Sequence, residues 1–377
     1  MVNATVGIVG GGQLAQMTYL AGVSLGIDVV VLCPDGTEPA VRAGATHVAG
    51  VPERFDDLLD LARRCDVVTL DHERTPTDLL QRLSDAGYRV APSAEAARVG
   101  RDKAAARVLA KAHGVPVAPW IVTGELEQVT SFGAVHGWPL HLKSTTGGYD
   151  GRGVWPVRSP AGVPEVMGQS RGPLLVEPTL RLEHEVSAVV VRSWSGQMVT
   201  YPLIETIQVD GACREAFVPA EVPQALRAQA GDVAAELAEA IGLVGVMAVE
   251  LFVADGRLLL NELAVRPHNS GHLTIEACAT SQFENHLRAV LDLPLGASEL
   301  RTPAAAMANV MGGPDGADPF DRVVGALAVP GAAVHRYGKA PAPNRKLGHV
   351  TATGLDAHQA RSIANRSAAA LASRAAS

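Results

Sequence analysis

Two glutamates flank a predicted hairpin turn. Glu250 lies in an apolar run, Glu262 follows Asn261, and Asp255-Gly256 between them is a hairpin signal. If the strand register puts both acids on one side, they lie roughly 5–8 Å apart as direct or diagonal neighbours. Two such carboxylates repel each other unless a cation lies between them, and oxygen ligands suit Mg²⁺ that carries nucleotide phosphates. The pattern predicts a kinase-like or ligase-like site; a register that sends the acids to opposite faces is the alternative.

A glycine-rich segment is the second candidate element. Residues 147–153 read Gly-Gly-Tyr-Asp-Gly-Arg-Gly, between predicted strands at Pro139 to Lys143 and Val154 to Val157. A glycine-rich loop between strands can close over a ligand, and its N–H groups can bind phosphates. We interpret this region as a small lid-like α+β unit, with an ordinary glycine-rich hairpin loop as the alternative.

A basic cluster near the C-terminus is the third candidate element. Lys339 and the run Asn-Arg-Lys-Leu-Gly-His at 344–349 concentrate positive charge in a chain whose net charge is −7. Arginine and lysine are the usual partners of phosphate groups. The cluster predicts a phosphate site, and a solvated basic loop is the alternative.

Composition limits the class of protein. The chain has 377 residues, 47% of them hydrophobic and 19% charged, which predicts two or three globular domains with room for a cleft between them. The negative net charge argues against general nucleic-acid binding. The cysteines are far apart in sequence, so we expect no zinc site or disulfide framework, and a reducing cytoplasm. We find no signal peptide and no membrane span.

The first hundred residues alternate between strand and helix patterns. Residues 5–9 predict a strand, Gly10 to Gly12 a tight turn, Gln13 to Ala21 a helix and Asp28 to Leu32 a second strand, which opens a parallel α/β layer. The glycines let N–H groups at the helix start approach an anion, and the run partly imitates a dinucleotide fingerprint. The acid that should end the second strand is missing. An NAD-binding oxidoreductase would also leave the two glutamates unexplained.

The remaining pattern supplies further elements. We predict strands at Val67 to Leu70, Arg89 to Ala91 and Leu174 to Glu177, and a helical stretch from Pro92 to about Gly114. An apolar stripe predicts a scaffold helix over Gln224 to Ile241. The Ala-, Ser- and Arg-rich end predicts a terminal helix.

The order of Lys143, Glu177, Glu185, Glu250 and Asn261-Glu262 resembles that of ATP-grasp carboxylate–amine ligases. Four runs strengthen the likeness: Gly-Gly-Gly-Gln-Leu-Ala at 10–15, the loop at 147–153, Arg-Pro-His-Asn-Ser-Gly-His at 266–272 and Thr-Ser-Gln-Phe-Glu at 280–284. With them the chain, from about Val6 to Gly354, resembles the N5-carboxyaminoimidazole ribonucleotide synthase family of purine biosynthesis.

The resemblance implies an ATP-grasp fold, α/β with α+β, in three domains. These would be a Rossmann-like parallel α/β layer at 1–100, a linking helix and lid at 101–177, and a C-terminal α+β domain at 178–377 that holds the metal and substrate-phosphate sites. It also implies a homodimer, and hand-off of the product to the mutase that follows is a further possibility.

The resemblance also implies roles for individual residues. Lys103 and Lys143 would contact phosphates, the backbone from Glu177 to Leu180 would meet adenine, and Glu185 would bind the ribose hydroxyls. Glu250 and Glu262 would bind Mg²⁺, as two ions, with help from Asn261. The full implied ATP set is Lys103, Lys143, Gly148, Tyr149, Asp150, Gly151, Arg152, Gly153, Glu177, Pro178, Thr179, Leu180, Glu185, Gln208, Asn261 and Glu262.

The second implied substrate is aminoimidazole ribonucleotide. Its implied contacts are Gln13, Tyr149, Asp150, Arg266, His268, Asn269 and, at the phosphate, Lys339, Arg345 and Lys346.

Bicarbonate would attack ATP to give carboxyphosphate, whose CO₂ the amine would capture in a site closed to water. Asp150 would steer or deprotonate the amine, and Arg152 and Lys346 would stabilise the anions. We assign His268 to substrate contact and His272 to structure.

Two rival functions stay open. The folate-independent glycinamide ribonucleotide formyltransferase shares fold and ATP but should lack the 147–153 and 266–272 runs. A catalytically silent nucleotide-binding module would need losses at Lys143, Glu250 or Glu262, and all three are present.

Overall fold

The first sheet of the computed structural model, which describes residues 4–148, 152–170, 172–314 and 316–372, is parallel. Its strand order is β3-β2-β1-β4. The elements are β1 Thr5–Val9, α1 Gln13–Leu25, β2 Asp28–Cys33, α2 Pro39–Ala43, β3 Thr46–Ala49, α3 Phe55–Ala62, β4 Val67–Leu70 and α4 Thr77–Asp85. The predicted parallel α/β layer is confirmed.

Two boundaries in this layer differ from prediction. Helix α1 runs four residues past Ala21 and ends where Gly26 adopts a left-handed conformation. The predicted strand at Arg89 to Ala91 is only an isolated bridge between Val68 and Val90. Pro92 follows at once and has no N–H to continue the ladder.

Two helices connect this layer to the rest of the chain, α5 Ala94–Arg101 and α6 Lys103–Ala112. The predicted single stretch is divided because Asp102 adopts an extended conformation, with φ −109° and ψ 111°. Its carboxylate accepts a hydrogen bond from the N–H of Ala104 at 2.8 Å and caps α6. The cap fixes where Lys103 begins the helix.

The second sheet is antiparallel with strand order β5-β8-β6-β7. Its elements are β5 Ile121–Thr123, α7 Leu126–His136, β6 Leu140–Ser144, β7 Val154–Val157, α8 Val163–Gln169 and β8 Leu174–Pro178. The two predicted strands around the glycine-rich segment are present as β6 and β7.

The third sheet has nine strands in the order β14-β13-β9-β11-β12-β15-β17-β16, with β10 paired to β9. The strands are β9 His184–Arg192, β10 Met198–Thr200, β11 Ile204–Val209, β12 Ala212–Val218, β13 Gly245–Ala254, β14 Arg257–Ala264, β15 Ala304–Met311, β16 Ala332–Arg336 and β17 Lys346–Gly354. The helices are α9 Gln224–Ala240, α10 Thr274–Ala277, α11 Gln282–Val290, α12 Val323–Leu327 and α13 Ala357–Ala372.

The two faces of this sheet differ, because one packs in the core and the other carries the predicted site residues. Met247, Val249 and Leu251 of β13 belong to a core that also contains Val233 and Leu237 of α9. The predicted stripe of α9 is therefore a scaffold contact. The opposite face of β9, β13 and β14 carries Glu185, Ser187 and the two predicted metal ligands, because side chains alternate across a strand.

Candidate active site

Strands β13 and β14, which we call the acid hairpin, place Glu250 directly opposite Glu262. Asp255 and Gly256 form the turn with positive φ of 49° and 65°. Of the two registers that the sequence leaves open, the structure therefore has the one that puts both acids on one side. Leu251 pairs with Leu260 next to this pair, so Asn261 is an extra, bulged residue. A bulge re-aims side chains locally, and both Asn261 and Glu262 contact lysines in the cleft.

Two lysines from outside the large sheet meet the acid hairpin. Lys103, at the start of α6, forms an ion pair with Glu262. Lys143 of β6 donates to Asn261 Oδ1 at 3.3 Å and forms an ion pair with Glu177. The structure thus brings together five predicted ATP-site residues from three parts of the chain.

Glu177 has a second cationic partner that the sequence reading missed. Arg107 NH2 donates to Glu177 Oε2 at 2.6 Å, and both side chains are buried. Burial opposes ionisation of Glu177, but Lys143 and Arg107 hold its pKa below the ordinary value. Burial lowers the pKa of Lys143. An arginine among the alanines of α6 was the available signal, yet its burial depends on a strand 70 residues away.

Glu185 of β9 is a poorly compensated acid. Burial, and then the charge of Glu250, raise its pKa to about 7, against the opposing influence of Lys143. A carboxylate in this condition gains from any ligand that brings positive charge or hydroxyl donors. The side chain of Gln208, on the neighbouring strand β11, donates a long 3.5 Å hydrogen bond to Thr206.

His268 connects the acid hairpin with the 266–272 run. Its Nε2 lies 3.1 Å from Glu250 Oε1, and its Nδ1 lies 2.9 Å from Ser270 Oγ. Burial opposes ionisation of Glu250, but His268, Lys103 and Lys346 hold its pKa below the ordinary value. Lys346, in the basic cluster, is therefore close enough to Glu250 to affect its ionisation.

His272 lies in a different environment. It is fully buried against Phe283 and His349, and within the described residues neither ring nitrogen has a hydrogen-bond partner. Burial lowers its pKa well below the ordinary value. A neutral, packed imidazole of this kind belongs to the core beneath the site.

The predicted ribonucleotide contacts come from three elements. Gln13 begins α1, whose Leu14 and Met17 pack against Tyr337, two residues before Lys339. Arg266 Nε lies 2.7 Å from Glu73 Oε1. The packing of α1 against Tyr337 brings the start of the chain close to the segment that carries Lys339.

Asn269 is held by a partner that the sequence did not suggest. It exchanges two hydrogen bonds with Asn309 of β15, at 3.0 and 2.8 Å. Asn309 also donates to the carbonyl of Cys213 at 2.9 Å. Arg345, in the basic cluster, is exposed and donates to the carbonyl of Ala340 at 3.0 Å.

The N-terminal glycine turn already has an anion from the chain itself. Asp71, directly after β4, accepts a hydrogen bond from the N–H of Gly12 at 2.8 Å. Asp71 Oδ1 would lie 1.8 Å from a Cβ at Gly10, so only glycine fits there. The predicted approach of an anion to this turn is therefore satisfied internally, and the partial dinucleotide fingerprint has this structural explanation.

Part of the glycine-rich loop lies outside the described residues, namely Tyr149, Asp150 and Gly151. At its described ends, Ser144 donates from its N–H to the carbonyl of Gly153 at 2.8 Å, which joins the bases of β6 and β7. A Cβ at Gly148 would lie 2.8 Å from the carbonyl oxygen of Arg152. The close approach requires glycine at 148.

The segment after β8 continues from Pro178 without regular structure. Thr179 donates its N–H to the carbonyl of Pro139 at 3.0 Å, and its hydroxyl lies 3.1 Å from His141 Nδ1. Leu180 follows. These contacts fix the chain as it passes from the second sheet to the third.

The acids of the cleft fit a cation that is shared with a ligand. Glu250 and Glu262 face each other, and burial and Glu250 raise the pKa of Glu185, so a divalent ion would relieve the repulsion among these acids. Across the described ranges, no three His, Cys, Asp or Glu side chains are grouped closely enough to bind a metal by themselves. Mg²⁺ commonly takes one or two carboxylates and completes its shell with water and substrate phosphates.

Comparison with known families agrees with this geometry. A ribonucleotide synthetase preATP-grasp domain matches residues 3–101, an ATP-grasp domain matches 108–283, and a phosphoribosylaminoimidazole carboxylase C-terminal domain matches 305–363. The fold and the site define an ATP-grasp ligase.

Individual relatives are more specific. The N5-carboxyaminoimidazole ribonucleotide synthase of Mycobacterium bovis is 42% identical over 362 residues, which cover 94% of this chain and 84% of that protein. The carboxyaminoimidazole ribonucleotide synthase of Aspergillus clavatus, solved with ATP, is 34% identical with a TM-score of 0.91 and 98% of each chain covered. The same fungal enzyme with ADP and 5-aminoimidazole ribonucleotide is 33% identical with a TM-score of 0.90, covering 98% of this chain and 99% of that one. The chain belongs to the N5-carboxyaminoimidazole ribonucleotide synthase family.

One general feature of the elements completes the description. Among the helices of the described residues, none combines the length and apolar character that a membrane crossing requires.

Proposed function

We infer that this enzyme uses ATP to carboxylate 5-aminoimidazole ribonucleotide, forming N5-carboxyaminoimidazole ribonucleotide, ADP and phosphate in purine biosynthesis. The observation that carries the inference is the acid hairpin, where Glu250 and Glu262 face each other beside Lys103 and Lys143. A triphosphate needs both cations and metal-binding carboxylates. Phosphoryl transfer is catalysed largely by positioning such groups and by stabilising charge.

Mg²⁺ is the proposed cofactor, as two ions held by Glu250 and Glu262 with help from Asn261. When bound, it supplies positive charge that polarises the phosphates. Lys103 and Lys143 would exchange their present partners for phosphate oxygens, and the loop with Gly148, Arg152 and Gly153 would cover the triphosphate. Glu185 would accept the ribose hydroxyls.

The adenine would lie against the backbone of residues 177–180. Gln208, one strand away from Glu185, would complete that end of the site. The side-chain amide of Gln208 donates a long 3.5 Å hydrogen bond to Thr206 in its own strand, a weak contact that it could exchange for one to a ligand.

Bicarbonate is the proposed co-substrate. Its oxygen attacks the γ-phosphorus of ATP, the bond to ADP breaks, and carboxyphosphate forms. Carboxyphosphate then separates into CO₂ and phosphate, and the amine of the ribonucleotide attacks CO₂ and loses one proton. Exclusion of water protects the intermediate from hydrolysis.

The amine and the anions require their own groups. Asp150 would orient the amine or accept its proton, and Arg152 and Lys346 would stabilise the carboxylate fragments. The ribonucleotide would contact Gln13, Tyr149, Arg266, His268 and Asn269. Its phosphate would bind Lys339, Arg345 and Lys346.

We propose the wider setting from the family resemblance and, for the location, from the widely spaced cysteines. It comprises a homodimer, a cytoplasmic location, the domain division at residues 100 and 177, and possible hand-off of the product to a mutase. Sedimentation measurements would test the dimer.

The decisive experiment measures phosphate release from ATP and Mg²⁺ with bicarbonate, with and without aminoimidazole ribonucleotide. We expect strong stimulation by the ribonucleotide and its loss in Asp150→Ala. Asp60→Ala, which removes an exposed acid paired with Arg64 on α3, is the matched control and should behave as wild type. Stimulation by formate and glycinamide ribonucleotide instead would assign the chain to the rival formyltransferase reaction.

A further inference from the structure

Arg107 is a buried cation directly behind the predicted phosphate lysines. Its side chain is 1% exposed, and arginine is almost never so buried without a partner. NH2 donates to Glu177 Oε2 at 2.6 Å and NH1 to the carbonyl of Lys103 at 3.1 Å. Its Nε has no hydrogen-bond partner among the described residues. Such an incomplete set of bonds calls for a functional explanation.

The contacts of Arg107 reach both lysines without reaching the cleft. Lys103 is held through its backbone one helical turn earlier, and Lys143 is reached through the shared carboxylate of Glu177. With 1% exposure, the guanidinium itself is closed off from a ligand. Any influence on the nucleotide must therefore pass through these neighbours.

Binding of Lys143 to a phosphate competes with its ion pair to Glu177, and Arg107 lowers the cost of giving up that ion pair. To contact a phosphate, its ammonium must loosen its ion pair with Glu177, which is 6% exposed. A buried carboxylate that loses its sole partner is strongly disfavoured. Because Arg107 is already bonded to the other carboxylate oxygen, Glu177 keeps a charge partner when Lys143 turns away.

We propose that Arg107 is a positioning residue, the fixed counter-ion of Glu177, which allows Lys143 to exchange this carboxylate for the phosphates of the nucleotide. The proposal rests on the proposed function in one respect, the contact between Lys143 and phosphate. It assigns a role in nucleotide binding to a residue that touches neither substrate nor metal. The guanidinium also anchors the first turn of α6, where Lys103 begins.

The test compares Arg107→Met and Arg107→Lys with the wild type. Calorimetry gives the Kd of ADP with Mg²⁺, and steady-state assays give kcat and the KM of each substrate. We expect Arg107→Met to weaken ADP binding and raise the KM of ATP at least about tenfold, whereas Arg107→Lys, which keeps the charge, stays within about threefold of wild type. The KM of aminoimidazole ribonucleotide should change less than about twofold.

A rescue variant separates this role from a merely structural one. Glu177→Gln removes the charge that traps Lys143, so Arg107→Met/Glu177→Gln should bind ADP within about threefold of Glu177→Gln alone. If the double variant binds at least about tenfold more weakly than Glu177→Gln, Arg107 does not act through Glu177 and the proposal is overturned. Should Arg107→Met fail to fold, the double variant and Arg107→Lys still decide, because the double variant removes both charges of the buried pair and Arg107→Lys keeps both.

Two controls make the result specific. Arg98→Met removes an exposed arginine that pairs with Glu95 on the adjacent helix α5, and it should leave ADP binding unchanged. The wild type is measured first. If it binds no nucleotide and shows no ribonucleotide-stimulated phosphate release, the proposed function fails; if it does both while Arg107→Met binds ADP normally, only the role of Arg107 fails.

Discussion

The glycine turn at 10–12 and the acid hairpin both have carboxylates of the chain close by, but they balance the charge differently. Asp71 accepts from the backbone N–H of Gly12, at the start of α1 where the helix dipole favours an anion. Glu250 and Glu262 face each other and pair with side chains, Glu250 with His268 and Glu262 with Lys103.

The difference separates a structural acid from an exchangeable one. A backbone N–H cannot leave its place without unfolding the turn, whereas a lysine or histidine side chain can rotate toward an arriving ligand. The glycine turn is therefore already satisfied, and the acid hairpin is prepared to exchange partners. Glycines beside a helix start indicate a ligand site only where no acid of the chain occupies it.

The largest expected effect comes from the acid hairpin. Glu250→Gln keeps the shape of the side chain and removes a metal-binding charge, so we expect kcat to fall at least about a hundredfold. Ribonucleotide-dependent phosphate release measures this. The control is Glu236→Gln, at a half-exposed position on α9, which should retain activity. Full activity of Glu250→Gln would remove the acid hairpin from the mechanism.

A smaller effect, on stability, should follow from the glycine turn. Asp71→Ala leaves the N–H of Gly12 without its acceptor and should lower the free energy of unfolding by about 1–3 kcal/mol. Chemical denaturation measures the change. Asp66→Ala is the matched control. Asp66 also accepts a hydrogen bond from a backbone N–H, that of Thr5 at 2.8 Å, but this contact is exposed and lies at the opposite end of the strands of the same sheet.

The nucleotide affinity of Asp71→Ala sharpens the comparison. Because the turn is not an open phosphate site, the Kd of ADP should stay within about twofold of wild type. A tenfold change would show that the two regions are not independent, since that corresponds to about 1.4 kcal/mol.

The smallest expected effect is the release of a proton from Glu185 when Mg²⁺ and nucleotide bind. Burial and Glu250 raise its pKa to about 7 in the ligand-free enzyme, so its contribution to stability is fully present below the unfolded value of 4.5 and is lost as pH rises through about 7. Binding of Mg²⁺ and nucleotide favours the carboxylate and should release up to about one proton near neutral pH. Calorimetry in buffers of different ionisation enthalpy measures this release. Glu185→Gln should abolish it, and an unchanged release would assign the proton to another group.

Local signals explain what the sequence predicted well. The two strands of the acid hairpin are adjacent in the chain and joined by Asp255-Gly256, so the hairpin and its turn are readable from the sequence, whereas the register, which depends on the bulge at Asn261, is not. The parallel N-terminal layer and the apolar stripe of α9 likewise follow from periodicity within one segment.

Long-range contacts explain what remained hidden. Arg107 and Glu177 are separated by 70 residues, and Asn269 and Asn309 by 40, so no local period reports their pairing. The acceptor of the Gly12 N–H is Asp71, 59 residues away. These polar partners depend on how sheets and helices pack, which a propensity argument does not reach.

The bulge at Asn261 also changes the parity of strand β14. Before it, the even-numbered Leu258 and Leu260 belong to the core shared with α9; after it, the odd-numbered Leu263 does. Strand β13 keeps odd numbers in that core throughout, from Met247 to Val253. Because Asn261 is accommodated in a bulge, β14 packs against the core on both sides of it and Glu262 still points toward the cleft. If Asn261 were instead paired as a regular strand residue, alternation would turn Glu262 into the core and Leu263 toward the cleft.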